Sequence, residues 1–346
     1  MGRRYRFALM VSVLAIGAAA LLPAASAHDD PSPRVDVRRE QSAEDAPRVT
    51  LPRAVVEAAS AYETYLRRAA AIRAGFRDGE AVREAMTIGE SYQPEQMQEG
   101  VIAYAALIAL EDERFVRGVQ ASAYDRYAGS RDAEAEALLA NPAGIAAIPG
   151  ADHAAALVSA ELRQEGVRLF ETGRAVKQAA YEVQHQAWSK RTVPDQRDRL
   201  ARAKSLAASA TIPAPEDVAH LLQAAAAFRG RAAANEEARA ASPAIERGLA
   251  LAAVALLGQA GDESRLRGLL HDGAGIGCMH MAKLNLYQCL AVAGPHYEDI
   301  FCLGQHALMD TGQCVANVGG GDPAGVVSHA ERRDTARPYA TNNYRR

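Results

Sequence analysis

Between Thr50 and Ala260 apolar residues recur every three or four positions and rarely alternate singly, which is the period of helices rather than strands. The first predicted helix is capped by Thr50, carries Pro52 in its first turn, and runs through Val55, Ala59, Tyr62, Leu66 and Ala69 to about Arg77. A second covers 79–91. A third opens at Pro94 and runs to about Tyr127. Its stretch Val101 to Leu110 is apolar on every side and predicts a buried central helix. A short helix is expected over 132–140. Turn signals at Asn141-Pro142 and Pro149-Gly150 bracket another brief one. After Pro194, helices are predicted over 195–208, 216–228, 232–241, 244–257 and 262–270, the fourth of these capped by Ser242 with Pro243 behind it. These last segments have the lengths of helical-repeat pairs but no fixed period.

The longest predicted helix, 151–190, carries a regular seam. Leu162, Gly166, Leu169, Gly173, Val176, Ala180, Val183 and Ala187 alternate four and three apart. One column of that seam is Leu, Leu, Val, Val and the other Gly, Gly, Ala, Ala, so a partner helix can approach closely. Glycine inside a helix costs about 1 kcal/mol against alanine, so two in register imply a packing reason. The partner expected is another helix of the same chain, the alternative being a second copy. Trp188, the sole tryptophan, ends the seam and reads as a core or hinge plug rather than a ligand platform.

All four cysteines fall between Cys278 and Cys314. A helical run over 279–293 meets Gly294-Pro295, where one helix stops and another can begin. The second run passes Ile300, Phe301, Leu303, Ala307 and Leu308 and is expected to end at Gly312. The prediction is an αα-hairpin with its turn near 293–296. Cys289 and Cys302 then lie at similar distances from the turn, as do Cys278 and Cys314 farther out. Antiparallel packing favours the nested pairs Cys289–Cys302 and Cys278–Cys314 over the other two connectivities. The layout resembles the twin-cysteine helical hairpins of small oxidised proteins in geometry alone.

The competing reading is a metal site. Five of nine histidines lie at or near this segment: His271, His280, His296, His306 and His329. Cys278, His280, Cys302 and His306 are the candidate ligands, with Met279 and Met281 suited to a soft ion. No Cys-x-x-Cys or His-Glu-x-x-His pattern supports it, and no cofactor is expected. Glu182-x-x-His185 and Asp217-x-x-His220 have dinuclear-iron spacing, but chance alone supplies about one such pair, so both histidines are read as surface or interhelix residues.

Residues 1–27 read as a Sec-type signal peptide: Arg3, Arg4 and Arg6, an apolar core from Phe7 to Leu22, then Ala25-Ser26-Ala27 as the cleavage signal. The expected location is periplasmic or secreted, an oxidising setting that favours disulfides, with no span left after cleavage. Residues 28–49 are polar and proline-bearing, a flexible linker. The expected organisation continues with a helical body over 50–260, the cysteine hairpin over 261–318 and a disordered tail over 319–346.

Cleavage would remove three arginines and leave 36 basic residues against 42 acidic, a net charge of −6. That balance argues against nucleic-acid binding. Catalytic elbows, P-loops and dinucleotide fingerprints are missing. The fold class expected is all-α: a multi-helix bundle or irregular helical array with a disulfide-stapled hairpin. The function expected is a noncatalytic interaction or scaffold role with a protein partner at the cell envelope. The alternatives are a small-ligand or metal-binding protein using the hairpin, and a helical enzyme with an unrecognised site. A buried polar pocket with a perturbed acid–base pair would favour an enzyme, and a broad exposed apolar groove a scaffold.

Overall fold

Pro94 opens helix α3 (Pro94–Leu110), and almost every residue from Val101 to Ala109 is buried. With no polar side to turn outward, this segment can only lie inside other helices. Against it pack α1 (Arg53–Ala70), α4 (Glu113–Asp125) and the long α6 (Ala151–Val183), while α2 (Gly79–Glu90), α5 (Ser130–Ala140) and a 3-10 turn, Pro142–Ala147, lie between these in the chain. The chain continues through α7 (Gln196–Ala208), α8 (Pro215–Ala227), α9 (Pro243–Leu256) and the single turn α10 (Glu263–Leu266). It ends in α11 (Gly273–Val292), α12 (His296–Cys302), a π-helical segment Leu303–Met309, and α13 (Asp310–Val318). The computed structural model describes residues 51–125, 130–194, 196–227 and 241–324. Among these are thirteen α-helices and no strand, an all-α array. The proposed signal peptide, the linker over 28–49, the predicted helix over 232–241 except its last residue, and the part of the predicted tail from 325 onward lie outside them. Among the described residues no helix is long and apolar enough to cross a membrane.

Several boundaries differ from the sequence expectation, each for a local reason. The single helix expected over 94–127 is two, because Asp112 caps a new start: its Oδ1 accepts from Arg114 N (2.9 Å) and Phe115 N (3.0 Å). An aspartate that can satisfy the orphan amides of a following helix competes with helix continuation. The first helix ends at Ala70 rather than near Arg77, and the chain restarts where Asp78 accepts from Ala81 N. α6 stops at Val183, not at 190, and Ser189 Oγ donates back to the carbonyl of Val183 in a buried hydrogen bond. Ala187 therefore lies beyond the helix and is exposed, whereas Leu162, Leu169, Val176, Ala180 and Val183 are buried.

The seam on α6 receives the second arm of the cysteine hairpin. A Cβ on Gly166 would stand 2.3 Å from Ala316 N and 2.6 Å from Gly312 O, and one on Gly173 2.6 Å from Met309 N. The partner has its own glycines: a Cβ on Gly312 would meet Phe170 N at 2.6 Å and one on Gly304 would meet Lys177 N at 2.5 Å. Gly312 is thus a packing glycine inside α13 and not the helix stop that the sequence suggested. Seven residues separate Gly166 from Gly173, and eight separate Gly304 from Gly312. The wider turns of the π segment take up the extra residue and keep both glycine pairs in contact. Packing continues past 318, since a Cβ on Gly319 would lie 2.4 Å from Ser159 O.

The hairpin carries both disulfides in the nested arrangement. Cys278–Cys314 and Cys289–Cys302 each join Cα atoms 5.7 Å apart, and no cysteine is free. α11 begins at Gly273, one and a half turns earlier than the first cysteine, so all four cysteines sit within helical backbone.

Candidate functional site

At the turn of the stapled hairpin, three other parts of the chain meet it. Val193 N donates to Gly294 O (3.0 Å), His296 N to Arg191 O (3.3 Å) and Tyr297 N to Ser189 O (3.2 Å). The loop after α6 is thereby knitted to the start of α12. α12 is itself closed by Glu298, whose Oε2 accepts from Gly294 N at 2.6 Å, the reach-back expected of a glutamate in a first helical turn. α7 supplies Arg199, the largest fully buried side chain among the described residues. Its guanidinium donates to Asp299 Oδ1 (2.5 Å) and to the carbonyl oxygens of Leu290 and Ala293 at the end of α11. One arginine thus caps the first arm of the hairpin and pairs with the second, the fork geometry that suits a buried cation.

Between this assembly and α2 lies a cavity of about 410 Å³. Gly79, Val82, Met86 and Glu90 line it from one face of α2, Arg191 to Pro194 from the loop, Arg199 and Arg202 from α7, and His296 and Asp299 from α12. Val82, Met86, Val193 and Pro194 supply apolar wall, and charged and polar side chains most of the rest. A Cβ on Gly79 would stand 2.4 Å from the His296 ring, so the imidazole lies directly on the start of α2. Trp188 lies 6.2 Å from that ring between centroids and is partly buried against the core.

Glu90 is the unusual member. It is 1% exposed, it lines the cavity, and its Oε2 has no hydrogen-bond partner. Burial raises its pKa to about 7 against the pull of Arg202 and Lys283. Lys283 lies beside it, donating from Nζ to the Glu90 carbonyl oxygen (2.9 Å) and sitting 3.5 Å above the Tyr92 ring; burial brings its pKa down to about 7. Burial lifts Asp299 to about 6 despite Arg199, and burial with Arg191 and Arg199 nearby holds His296 below its ordinary value. Three groups with shifted proton affinity, Glu90, His296 and Asp299, therefore line one cavity, with Lys283 beside Glu90.

The metal candidates do not come together. Cys278 and Cys302 belong to different disulfides, so neither offers a thiolate. His280 pairs with Glu95 (2.9 Å) and His306 with Asp310 (2.8 Å). Among the described residues no group of three or more His, Cys, Asp or Glu side chains is placed to hold an ion. Glu182 and His185 are exposed, while Asp217 pairs with Arg67 and Arg68 and His220 with Glu63.

A second polar cluster lies sealed in the bundle. Tyr62 and Tyr104 donate to the two oxygens of Glu165 at 2.9 and 3.0 Å, and burial lifts Glu165 to about 7. All three are buried, so this triad organises the core and offers no face to a ligand.

Of the cavity's residues the sequence reading had singled out only His296, and as a metal candidate's neighbour. Lys283 left a trace, a lysine within the apolar run of α11. Glu90, Arg199 and Asp299 left none, since each sits among ordinary helix charges. Comparison with protein-family models, curated proteins and solved structures finds no match to this chain, so the functional reading rests on the cavity's own chemistry.

Proposed function

We propose that the protein binds a small polar molecule in the cavity between α2 and the stapled hairpin. The observation that carries this reading is Glu90, a buried carboxyl with an unpartnered oxygen on a cavity of about 410 Å³. An unpaired buried oxygen costs about 1–3 kcal/mol, which a ligand donor or a bound water would offset. The volume lies within the range of about 300–1,000 Å³ common to small-molecule sites. The disulfide Cys289–Cys302 encloses the segment bearing His296 and Asp299, so it serves the site by fixing one wall. Thermal-shift measurements against panels of sugars, amino acids and organic acids test the reading. Wild type should respond to at least one compound, and Thr192→Trp, at an exposed lining position, should abolish that response. A panel without any hit, or a hit unaffected by the tryptophan, removes the cavity from consideration.

Acid–base catalysis at the same place is the second reading, favoured by Glu90 near 7 and Asp299 near 6, one carboxyl deep and one paired with an arginine. The envelope scaffold role with a protein partner has narrower support: Met281, Leu284 and Val292 form an exposed apolar row along α11. We also propose export to an oxidising compartment, supported by two disulfides with no free thiol and by the leader-like residues 1–27. N-terminal sequencing of protein recovered from outside the cytoplasm should begin at His28.

A further inference from the structure

Four arginines, Arg83, Arg191, Arg199 and Arg202, face four carboxyl groups, Asp78, Glu80, Glu90 and Asp299, around the cavity, but not all of them are paired with one another. Arg199 is consumed by Asp299 and by the carbonyls ending α11. Arg83 pairs with Glu80, and Asp78 caps α2. That leaves Arg191 and Arg202, both exposed and both lining the cavity, with no ion pair to another described residue. Arg202 lies close enough to act on Glu90 and Asp299, and Arg191 on His296, so both cations reach the polar groups of the cavity. Deep behind them, the orphan oxygen of Glu90 asks for a hydrogen-bond partner, while Val82, Met86 and Pro194 provide only apolar contact.

Resting on the binding reading above, we propose that the ligand is a small hydroxylated acid, its carboxylate or phosphate held by Arg191 and Arg202 and a hydroxyl hydrogen-bonded to Glu90. Arginine forks suit both anions, and a carboxyl that is itself deep and unpartnered selects a ligand with a polar group at its far end. An anion alone would leave Glu90 unsatisfied, and a neutral polyol would leave the two arginine forks without an anion to bind bidentately.

The test is calorimetric titration of the oxidised full-length protein with glucuronate, glucose 6-phosphate, glucose and inorganic phosphate. Glucuronate or glucose 6-phosphate should bind, whichever does so naming the anion, and glucose and inorganic phosphate should each bind at least about tenfold more weakly, the loss expected when a charge-assisted bond or the Glu90 contact is missing. Arg191→Ala and Arg202→Ala, at exposed positions that leave the fold intact, should each weaken binding by about tenfold or more. Glucose binding as tightly as the acids, or acids binding equally well to both arginine variants, overturns the anion assignment and leaves the cavity reading standing. Failure of both acids to bind at millimolar concentration also overturns it. Acid binding that survives Thr192→Trp overturns the assignment and the cavity reading together.

Discussion

Replacing Glu90 by glutamine tests whether the deep carboxyl is held neutral by its surroundings. Its pKa rises from an ordinary 4.5 to about 7. A raised carboxyl binds its proton more tightly in the folded chain than in the unfolded one. Its contribution to stability is therefore fully present below pH 4.5 and is lost as pH climbs through 7. Each unit is about 1.4 kcal/mol, so the loss across this window is up to about 3 kcal/mol. Glutamine has nearly the same shape and stays neutral throughout. Wild type and Glu90→Gln should match within about 1 kcal/mol at pH 4.5, and the variant should be more stable by up to about 3 kcal/mol at pH 8. Urea unfolding of the oxidised proteins at pH 4.5, 6, 7 and 8 measures this. Lys283, Asp299, Arg199 and Arg202 surround the carboxyl, and Lys283 has the opposite slope: its depressed pKa makes stability rise between about 7 and 10.5. The quantity to read is thus the difference between the two proteins. A difference independent of pH, or a variant less stable at pH 8, would refute the argument that burial raises this group.

Further expectations concern the seam, the staples and the thiols. Gly173→Ala should destabilise by more than about 1 kcal/mol in urea unfolding, because the new methyl meets backbone atoms of the partner helix at 2.6–2.7 Å; Gly277→Ala, within α11 and with nothing in reach, should gain up to about 1 kcal/mol. Removing Cys289–Cys302, which closes a separation of 13 residues, should cost about 3 kcal/mol and weaken ligand binding; removing Cys278–Cys314, separation 36, should cost about 4 kcal/mol and leave binding largely intact. Equal effects on binding would argue against a wall held by the inner staple. In intact-mass analysis without reduction, the denatured protein should take up no alkylating reagent, and any uptake would contradict the doubly closed hairpin.

The helical architecture was legible because local rules produce it. Pro94, Ser242 with Pro243, and Gly294 with Pro295 mark ends through backbone chemistry alone, and the glycine column of α6 announced a close partner. The nested disulfides followed from the hairpin's geometry. What the partner was could not be read, because Gly312 has the same letter whether it stops a helix or admits another one. The π segment is likewise a compromise between two helices that neither encodes alone. The cavity was hidden for a related reason: Glu90, Arg199 and Asp299 are ordinary charges on their own helices and become a site only when α2, α7 and α12 converge. Asp112, by contrast, was a legible cap overlooked beside a long apolar run.

The nested closure also orders how the covalent framework can be made. Synthesis delivers Cys278 and Cys289 first, eleven residues apart, while both native partners are still to come. In an unstructured segment those two thiols could oxidise to each other. Once α11 has formed, they stand about 16 Å apart along its axis, far beyond the roughly 7 Å that a disulfide can bridge. Cys302 arrives next and finds its partner across the turn, and only then does Cys314 close the outer link. A helix that forms before oxidation is therefore its own guard against the wrong crosslink, and mutations that melt α11 should show up as a need for a disulfide isomerase before they show up as lost stability.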